Sequence, residues 1–266
     1  MLRTLGLLYL RNLRQAPRIP TVLVFGIVMP VIQLLLFGSL FESVADSPVF
    51  QQSYPDVAYR SYIAPAIILL TAFLGMANAS AALIVDLRTG YFDKLRTTPA
   101  TPALVVVARL MAEMTRVTGQ AVLILLIALA LGASVKTGVA GAAVLVLLSV
   151  VFSACTVGLL VTALAMKTKS DQATQSSFPL FFILIFLSSA YQAPDLMPKW
   201  LQTVVRYNPV DYLIQAVRQL MIGTNEGGAM VAEWPVAKIL IALGASLAAA
   251  VLLGLLNLRV YRKMVG

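Results

Sequence analysis

Long apolar runs without a charged residue dominate the pattern of the chain. Six such runs have 18 or more residues, and the segments between and around them hold every charged side chain. The runs are 19–41, 61–85, 117–135, 137–166, 172–194 and 239–258. A membrane helix needs about 20 mostly apolar residues to cross roughly 30 Å of hydrocarbon. The pattern therefore predicts an all-α integral membrane protein with six transmembrane helices.

The basic residues predict the orientation of these helices. With six spans, both termini share one face, and that face holds 14 of the 20 Lys and Arg residues but only 4 of the 11 Asp and Glu residues. The positive-inside rule makes this face cytoplasmic, so the N- and C-termini are both predicted inside. The first run exceeds the roughly 7–15 residues of a signal-peptide core and predicts an uncleaved span, with cleavage near Ala45 as the alternative.

Residues 1–18 have the pattern of an amphipathic helix at the membrane interface. At about 100° per residue, their arginines fall within an arc of roughly 80°, opposite a broad leucine-rich side. These arginines are Arg3, Arg11, Arg14 and Arg18. They could dock a partner, or they could simply anchor the cytoplasmic side of the first span.

Residues 86–102, between the second and third runs, read DLRTGYFDKLRTTPATP and mix charged with apolar side chains. Thr101 and Pro102 are typical of a helix start, and the helical pattern then continues to about Leu131. At 1.5 Å per residue this helix is about 45 Å long, so its first turns should protrude into the cytoplasm. Its face with Arg109, Glu113 and Arg116 is either a local ion-pair stripe or a contact with another subunit.

Residues 195–223, between the fifth and sixth runs, predict short helices on the outer side. Asn208 and Pro209 are typical of a capped helix start, and Gly223 suits the helix end. Between them an apolar stripe recurs at helical spacing. The helix is too short to span a membrane, so we expect it to lie in the outer interface or to dip in and return.

The composition narrows the possible chemistry. Hydrophobic residues make up 60% of the chain and charged residues 12%, which excludes a disordered chain and argues against a soluble enzyme. There is no histidine and only one cysteine, so His-ligated zinc, Ser-His-Asp chemistry and disulfide scaffolds are excluded. The net charge of +9 belongs to the predicted inner face and does not indicate nucleic acid as a partner.

The sequence also lacks the groups with which a single chain could power transport by itself, either by binding ATP or by coupling to protons or ions. No phosphate loop of the G-x-x-x-x-G-K-[ST] type occurs, and no acidic residue lies in the middle of an apolar run. The polar uncharged residues inside the runs either join helices or line a pathway. The candidates for a pathway lining are Gln33, Asn78, Gln120, Ser153 and Thr156.

Two segments, in their positions within the six-span plan, resemble the permease subunits of type-2 ATP-binding cassette (ABC) exporters. The similarity is to the daunorubicin-resistance-like bacterial drug and lipid exporters. The first segment is DLRTGYFDKLRTTPATPALVVVARLM at 86–111, with an acidic residue, a glycine, a basic and apolar mixture and then Thr-Pro. The second is NPVDYLIQAVRQLMIG at 208–223, an Asn-Pro pair and a short helix before the last span.

The resemblance implies one permease domain over 1–266, with 1–18 as an interface helix and 195–223 as the outer helical segment. It implies a coupling helix within 86–102 that contacts a cytoplasmic ATPase. The residues assigned to that contact are Asp86, Arg88, Tyr91, Phe92, Asp93, Lys94, Leu95 and Arg96. The permease itself would be non-catalytic and bind no cofactor, with ATP and Mg²⁺ in the partner.

The implied assembly contains two ATPase copies and two permeases, as a homodimer, among the lipids of the plasma or inner membrane. It would export an amphipathic or hydrophobic substrate. The alternatives are an ATP-independent carrier and a lipid-modifying membrane enzyme.

Overall fold

The computed structural model describes residues 2–15, 20–89, 102–170, 172, 178–223 and 236–265. These residues form helices joined by turns and contain no strand, as predicted for an all-α protein. The first seven helices are α1 (Leu2–Gln15), α2 (Pro20–Leu40), α3 (Glu42–Ala45), α4 (Pro48–Ser53), α5 (Tyr59–Ala77), α6 (Ala79–Arg88) and α7 (Pro102–Ala130). The remaining ones are α8 (Gly138–Ser153), α9 (Leu159–Thr168), α10 (Phe178–Phe186), α11 (Lys199–Tyr207), α12 (Pro209–Ile222) and α13 (Val236–Val265).

Four helical segments within the described ranges are long and apolar enough to cross a membrane. They are Tyr59–Ala77, Leu104–Ala130, Gly138–Thr168 and Ala237–Asn257. The last of these is only 11% buried within the chain, so most of its apolar surface faces outward. Water would oppose such exposure, whereas a bilayer favours it, and the chain is therefore a membrane protein.

The first and fifth predicted spans are described only in part. Helix α2 covers the first run, but the apolar stretch among its described side chains, Val24–Leu40, has no more than 17 residues. The described part of the fifth run forms only the nine-residue helix α10, which is too short to cross a membrane alone. Within the described residues the structure thus gives four candidate spans, and the six predicted spans are not confirmed.

The second run is not one helix. Helix α5 ends at Ala77, and α6 begins after Asn78, whose side-chain amide donates to the Leu74 carbonyl at 3.0 Å. A side chain that bonds its own helix backbone competes with the next helical turn. Hydropathy predicts one continuous helix over this run, because it does not take account of hydrogen bonds between a side chain and its own backbone.

The third candidate span begins earlier than its charge-free run. Helix α7 starts at Pro102, as predicted, and the apolar segment includes Arg109, Glu113 and Arg116. Glu113 lies in the first half of this helix, within the part that the sequence predicts to protrude beyond the membrane core. The helix ends before Gly132, whose φ of +93° favours glycine.

The fourth run forms one helical segment that contains a π-helical turn at Ala154–Gly158. Such wide turns insert one extra residue and often mark functional positions. Helix α5 lies at the centre of the bundle and packs against α2, α7, α8 and α12. Its Tyr62, Ile63 and Ile67 are completely buried.

Helix α12 begins and ends as the sequence predicts. The Asn208 side chain accepts from the Val210 amide at 3.0 Å, and Gly223 ends the helix in a left-handed conformation. The predicted apolar stripe is buried, because α12 packs against α5, α8 and α13. This helix therefore lies inside the bundle and does not rest on its surface.

Replacing Asn208 by alanine is expected to lower the free energy of unfolding by about 2 kcal/mol. The substitution removes the cap of α12 and two donations, to the carbonyls of Leu184 at 2.6 Å and Leu187 at 2.8 Å. Unfolding of the detergent-solubilised chain by sodium dodecyl sulfate titration measures the change. Asn208→Ser keeps a capping oxygen and should show a smaller loss, and the exposed Thr203→Ala should show little. Equal stability of the alanine variant and the parent would contradict the capping role.

Candidate functional site

A cluster of charged side chains lies between α1, α6 and α7. Arg109, Glu113 and Arg116 share one face of α7 because they stand three or four residues apart. Glu113 contacts Arg116 at 2.7 Å and Arg109 at 3.6 Å, and all three side chains are at most 11% exposed. This arrangement confirms the ion-pair stripe that the sequence left as one of two alternatives, and it is buried by the chain's own helices.

Helix α1 covers this cluster. Its Asn12 is buried and accepts from Arg109 at 3.2 Å, and its Tyr9 contacts Thr115 at 3.0 Å. Arg11 forms a bidentate ion pair with Asp86 of α6, at 2.7 and 3.2 Å. A bidentate pair fixes the orientation of both groups, so α1 is attached to both α6 and α7.

The predicted interface arginines therefore occupy different environments. Arg3 and Arg14 are exposed, and the half-buried Arg11 is engaged with Asp86. Arg18 lies outside the described residues. Only Arg3 and Arg14 of the described three point to the surface, where a partner or lipid phosphate could reach them.

The predicted coupling segment is described only at its two ends. Asp86 is buried against Arg11, whereas Arg88 is exposed near the end of α6 and donates to the Lys169 carbonyl at 3.5 Å. The other assigned residues lie outside the described residues, and their role stays a prediction. These are Tyr91, Phe92, Asp93, Lys94, Leu95 and Arg96.

A cavity of about 480 Å³ lies between α2, α5, α7 and α10. It brings together three of the five predicted pathway residues, Gln33, Asn78 and Gln120. Arg116 of the charged cluster also reaches it, and Phe25, Met29 and Phe182 supply apolar walls. Phe25 and Met29 are 59% and 50% exposed, so the cavity opens on the outward face of α2.

The remaining two predicted residues, Ser153 and Thr156, do not line this cavity. Their hydroxyls donate to carbonyls of their own helix, those of Ser149 and Phe152, at 2.6 and 2.7 Å. Both lie beside or within the π-helical turn. The structure gives them a local bonding role, and sequence polarity alone does not separate that role from a pathway lining.

Two glycines allow the helices around the cavity to approach closely. A Cβ atom built on Gly26 of α2 would lie 2.5 Å from Nε2 of Gln120, and one on Gly75 of α5 would lie 2.5 Å from a methyl carbon of Val117. Gly75 also offers its carbonyl to Arg116 at 3.0 Å. A larger residue at Gly75 would press on Val117 of α7, and one at Gly26 would displace the end of the Gln120 side chain, so both glycines contribute to the shape of the cavity.

A second buried cation, Arg218 of α12, lies at the opposite end of α5. Its guanidinium stacks 3.8 Å from the ring centre of Tyr62 and donates to Ser189 Oγ at 3.1 Å and to carbonyls of the chain. The predicted orientation places Arg218 on the outer side, and the structure buries it because α12 packs inside the bundle. The only sequence signal is its position on the helix face that also carries Leu213, Ile214 and Val217.

A smaller cavity of about 370 Å³ lies between the end of α2, helices α3 to α5 and the turn after α7. It contains three acidic side chains, Glu42, Asp46 and Asp56, together with Arg60. Within the described ranges, no three metal-ligating side chains come together in a way that could hold an ion.

Comparison with known proteins places these elements in a wider context. A family model for ABC-2 type transporters matches residues 3–222, from α1 to the end of α12. The daunorubicin resistance ABC transporter permease protein DrrB1 of Streptomyces coeruleorubidus is 26% identical over 206 residues, covering 77% of this chain and 70% of that protein. A putative transport permease ycf38 of Pyropia yezoensis is 28% identical over 233 residues, covering 85% of this chain and 76% of the relative. The protein of the same name from Cyanophora paradoxa is 28% identical over 209 residues, or 77% and 70%.

Proposed function

The chain belongs to the ABC-2 type transporter family, and from this premise we propose that it is the transmembrane subunit of an ATP-driven exporter. The proposed substrate is an amphipathic or hydrophobic molecule, drug or lipid-like, that leaves the cytoplasm or the inner leaflet. The observation that carries the proposal is the family match, which extends from α1 through α12. The relatives named above are permeases, and one is named for daunorubicin resistance.

The geometry of the α1 end is compatible with force transmission from another subunit. Arg11 and Asp86 attach α1 to α6, the helix that leads into the predicted coupling segment. On α7, Glu113 of the buried cluster is paired with Arg116, and Arg116 also lines the cavity. A displacement of the coupling segment would therefore reach the cavity through packed and ion-paired groups.

In the proposed assembly, two copies of an ABC ATPase bind two copies of this chain in the plasma or inner membrane. The chain itself is non-catalytic, and ATP with Mg²⁺ is held by the ATPase. We propose six spans in that assembly, with α2 as the first and with α10 and the residues before it as the fifth. The outward apolar face of α2 would contact lipid or the second copy.

The experiment reconstitutes the chain in liposomes with a candidate ABC ATPase partner and measures ATP-dependent movement of daunorubicin. We expect transport and ATP hydrolysis to require both proteins. Movement that does not depend on ATP would instead support the alternative of an ATP-independent carrier.

Charge reversal in the coupling segment is expected to uncouple the complex. The pair Asp93→Lys with Arg96→Glu keeps the net charge and inverts the local pattern, so we expect at least a tenfold loss of coupled ATP hydrolysis, the cost of about 1.4 kcal/mol at the interface. Copurification and ATPase turnover measure the effect. Asp46→Lys with Arg206→Glu is the matched control, because both of its residues are exposed on the predicted outer side. Unaltered copurification and turnover in the Asp93 and Arg96 variant would contradict the coupling assignment.

A further inference from the structure

Helix α11 presents an apolar face that the described part of the chain leaves uncovered. Trp200, Val204 and Tyr207 stand four and three residues apart, so they share one side of the helix. They are 64%, 38% and 79% exposed. On the neighbouring side, the buried Val205 packs against the rest of the chain. Two large aromatic rings and a valine side by side form an exposed apolar patch, and such patches mark contact with another protein or with a membrane.

The contacts at both ends of α11 place it at the level where a candidate span begins. The turn before it, Pro194–Leu196, packs against α4, and the Asp195 carboxylate accepts from Ser53 Oγ at 2.7 Å. Helix α4 ends shortly before the candidate span of α5 begins. At the other end of α11, the Tyr212 hydroxyl of α12 donates to the Arg206 carbonyl at 2.9 Å. Because a span begins at the membrane surface, α11 lies near the boundary between the acyl chains and the headgroups.

The charge and polarity around α11 fit a phospholipid surface. Lys199, next to Trp200, is exposed and positively charged, so it complements the negative phosphate groups of lipids. Gln202 is exposed on the opposite side of the helix, about 160° around it from Trp200. Tryptophan and tyrosine combine an apolar ring with a polar N–H or O–H group, and both are enriched where membranes meet water. The helix thus has the side-chain pattern of one that lies in the plane of the interface.

We propose that Trp200, Val204 and Tyr207 form a phospholipid-binding face that anchors α11 in one leaflet of the membrane. The two rings insert among the upper parts of the acyl chains, and Lys199 pairs with lipid phosphates. In the predicted orientation this is the outer leaflet. The proposal requires only that the chain spans a membrane, and it does not depend on ATP-driven export. Because α11 leads directly into α12, the anchor also fixes the depth at which α12 begins.

Tryptophan fluorescence tests the position of this face directly. The chain has two tryptophans, Trp200 and Trp234, so Trp234→Phe leaves Trp200 as the only one. The full-length variant is placed in nanodiscs made of equal parts of phosphatidylcholine and phosphatidylglycerol, which leave both membrane faces open to solution. Lipids brominated near the headgroup end of their acyl chains quench tryptophans within the membrane interface, and acrylamide quenches those in water. We expect Trp200 to be quenched strongly by brominated lipid and weakly by acrylamide.

The matched control moves the tryptophan to the opposite side of α11. It combines Trp234→Phe with Trp200→Phe and Gln202→Trp, so it again contains a single tryptophan. We expect about threefold stronger quenching by acrylamide, and about threefold weaker quenching by brominated lipid, than for Trp200. The Trp234→Phe chain keeps every residue of α11, so its own response to brominated lipid does not depend on this control.

Two results would overturn the proposal. Equal acrylamide quenching in the two variants would show that water covers the aromatic face. Shielding of Trp200 from acrylamide without quenching by brominated lipid would show that protein covers it, such as a second copy of the chain. The experiment contains no ATPase, so either result would leave the proposed export function standing. Failure of ATP-dependent transport in the reconstituted complex would, in turn, leave the lipid-binding face standing.

Discussion

Replacing Glu113 by glutamine is expected to lower the free energy of unfolding by about 3 kcal/mol. Glu113 is the counter-charge for both Arg109 and Arg116, and all three side chains are buried. Glutamine has the same shape but no charge, so the substitution leaves two buried cations without a carboxylate and creates no cavity. Titration of the detergent-solubilised chain with sodium dodecyl sulfate, followed by circular dichroism, measures the loss.

Glu42→Gln is the matched control for this substitution. The Glu42 carboxylate is 68% exposed and lies 3.9 Å from Arg60, so water screens the pair and its loss should cost less than about 1 kcal/mol. A second comparison adds Arg116→Leu to Glu113→Gln, which removes one of the two stranded cations and should recover part of the stability. If Glu113→Gln and Glu42→Gln unfold alike, the carboxylate of Glu113 does not compensate the buried arginines.

Replacing Arg218 by methionine is expected to lower the free energy of unfolding by about 4 kcal/mol. The substitution removes the stacking on Tyr62 and the donations to Ser189 and Ala190, whose carbonyls are buried and then lack this donor. Methionine keeps most of the length and the apolar character of the aliphatic part of arginine, so the loss of stability is due to the removal of the guanidinium. The same titration, with tryptophan fluorescence as the signal, reports it.

Arg218→Lys distinguishes charge from geometry. Lysine keeps the cation but lacks the planar fork that contacts several acceptors at once, so we expect it to recover less than half of the loss. Arg206→Met is the control, because Arg206 is exposed on α11 and its removal should change little. Full stability of Arg218→Lys would show that charge alone is sufficient at this position.

The sequence predicts most helices well because their signals are local. The Asn208 and Pro209 start of α12, its end at Gly223 and the length of α7 each depend on residues within a few positions of the feature. The shortened fifth helix is different. Helix α10 ends where Asn208 bonds its last carbonyls and Asp211 accepts from the Ser189 amide at 2.6 Å, and both partners lie about 20 residues further along the chain.

The candidate site is predicted only in part for the same reason. Gln33, Asn78 and Gln120 are recognisable as polar residues in apolar runs, but three helices must pack before they share one cavity. The docking of α1 onto α7, which buries Arg109 and Glu113, is likewise a tertiary contact. Helical periodicity places these charges on one face but does not indicate what covers that face.

The contact between α10 and α12 has a consequence for where the chain can reverse direction. At this reversal the exposed ends of one helix are satisfied by side chains from the start of another, Asn208 for the carbonyls and Asp211 for an amide. The backbone groups of this turn have hydrogen-bond partners within the chain, so they do not need water as a partner. The reversal is therefore compatible with an apolar environment.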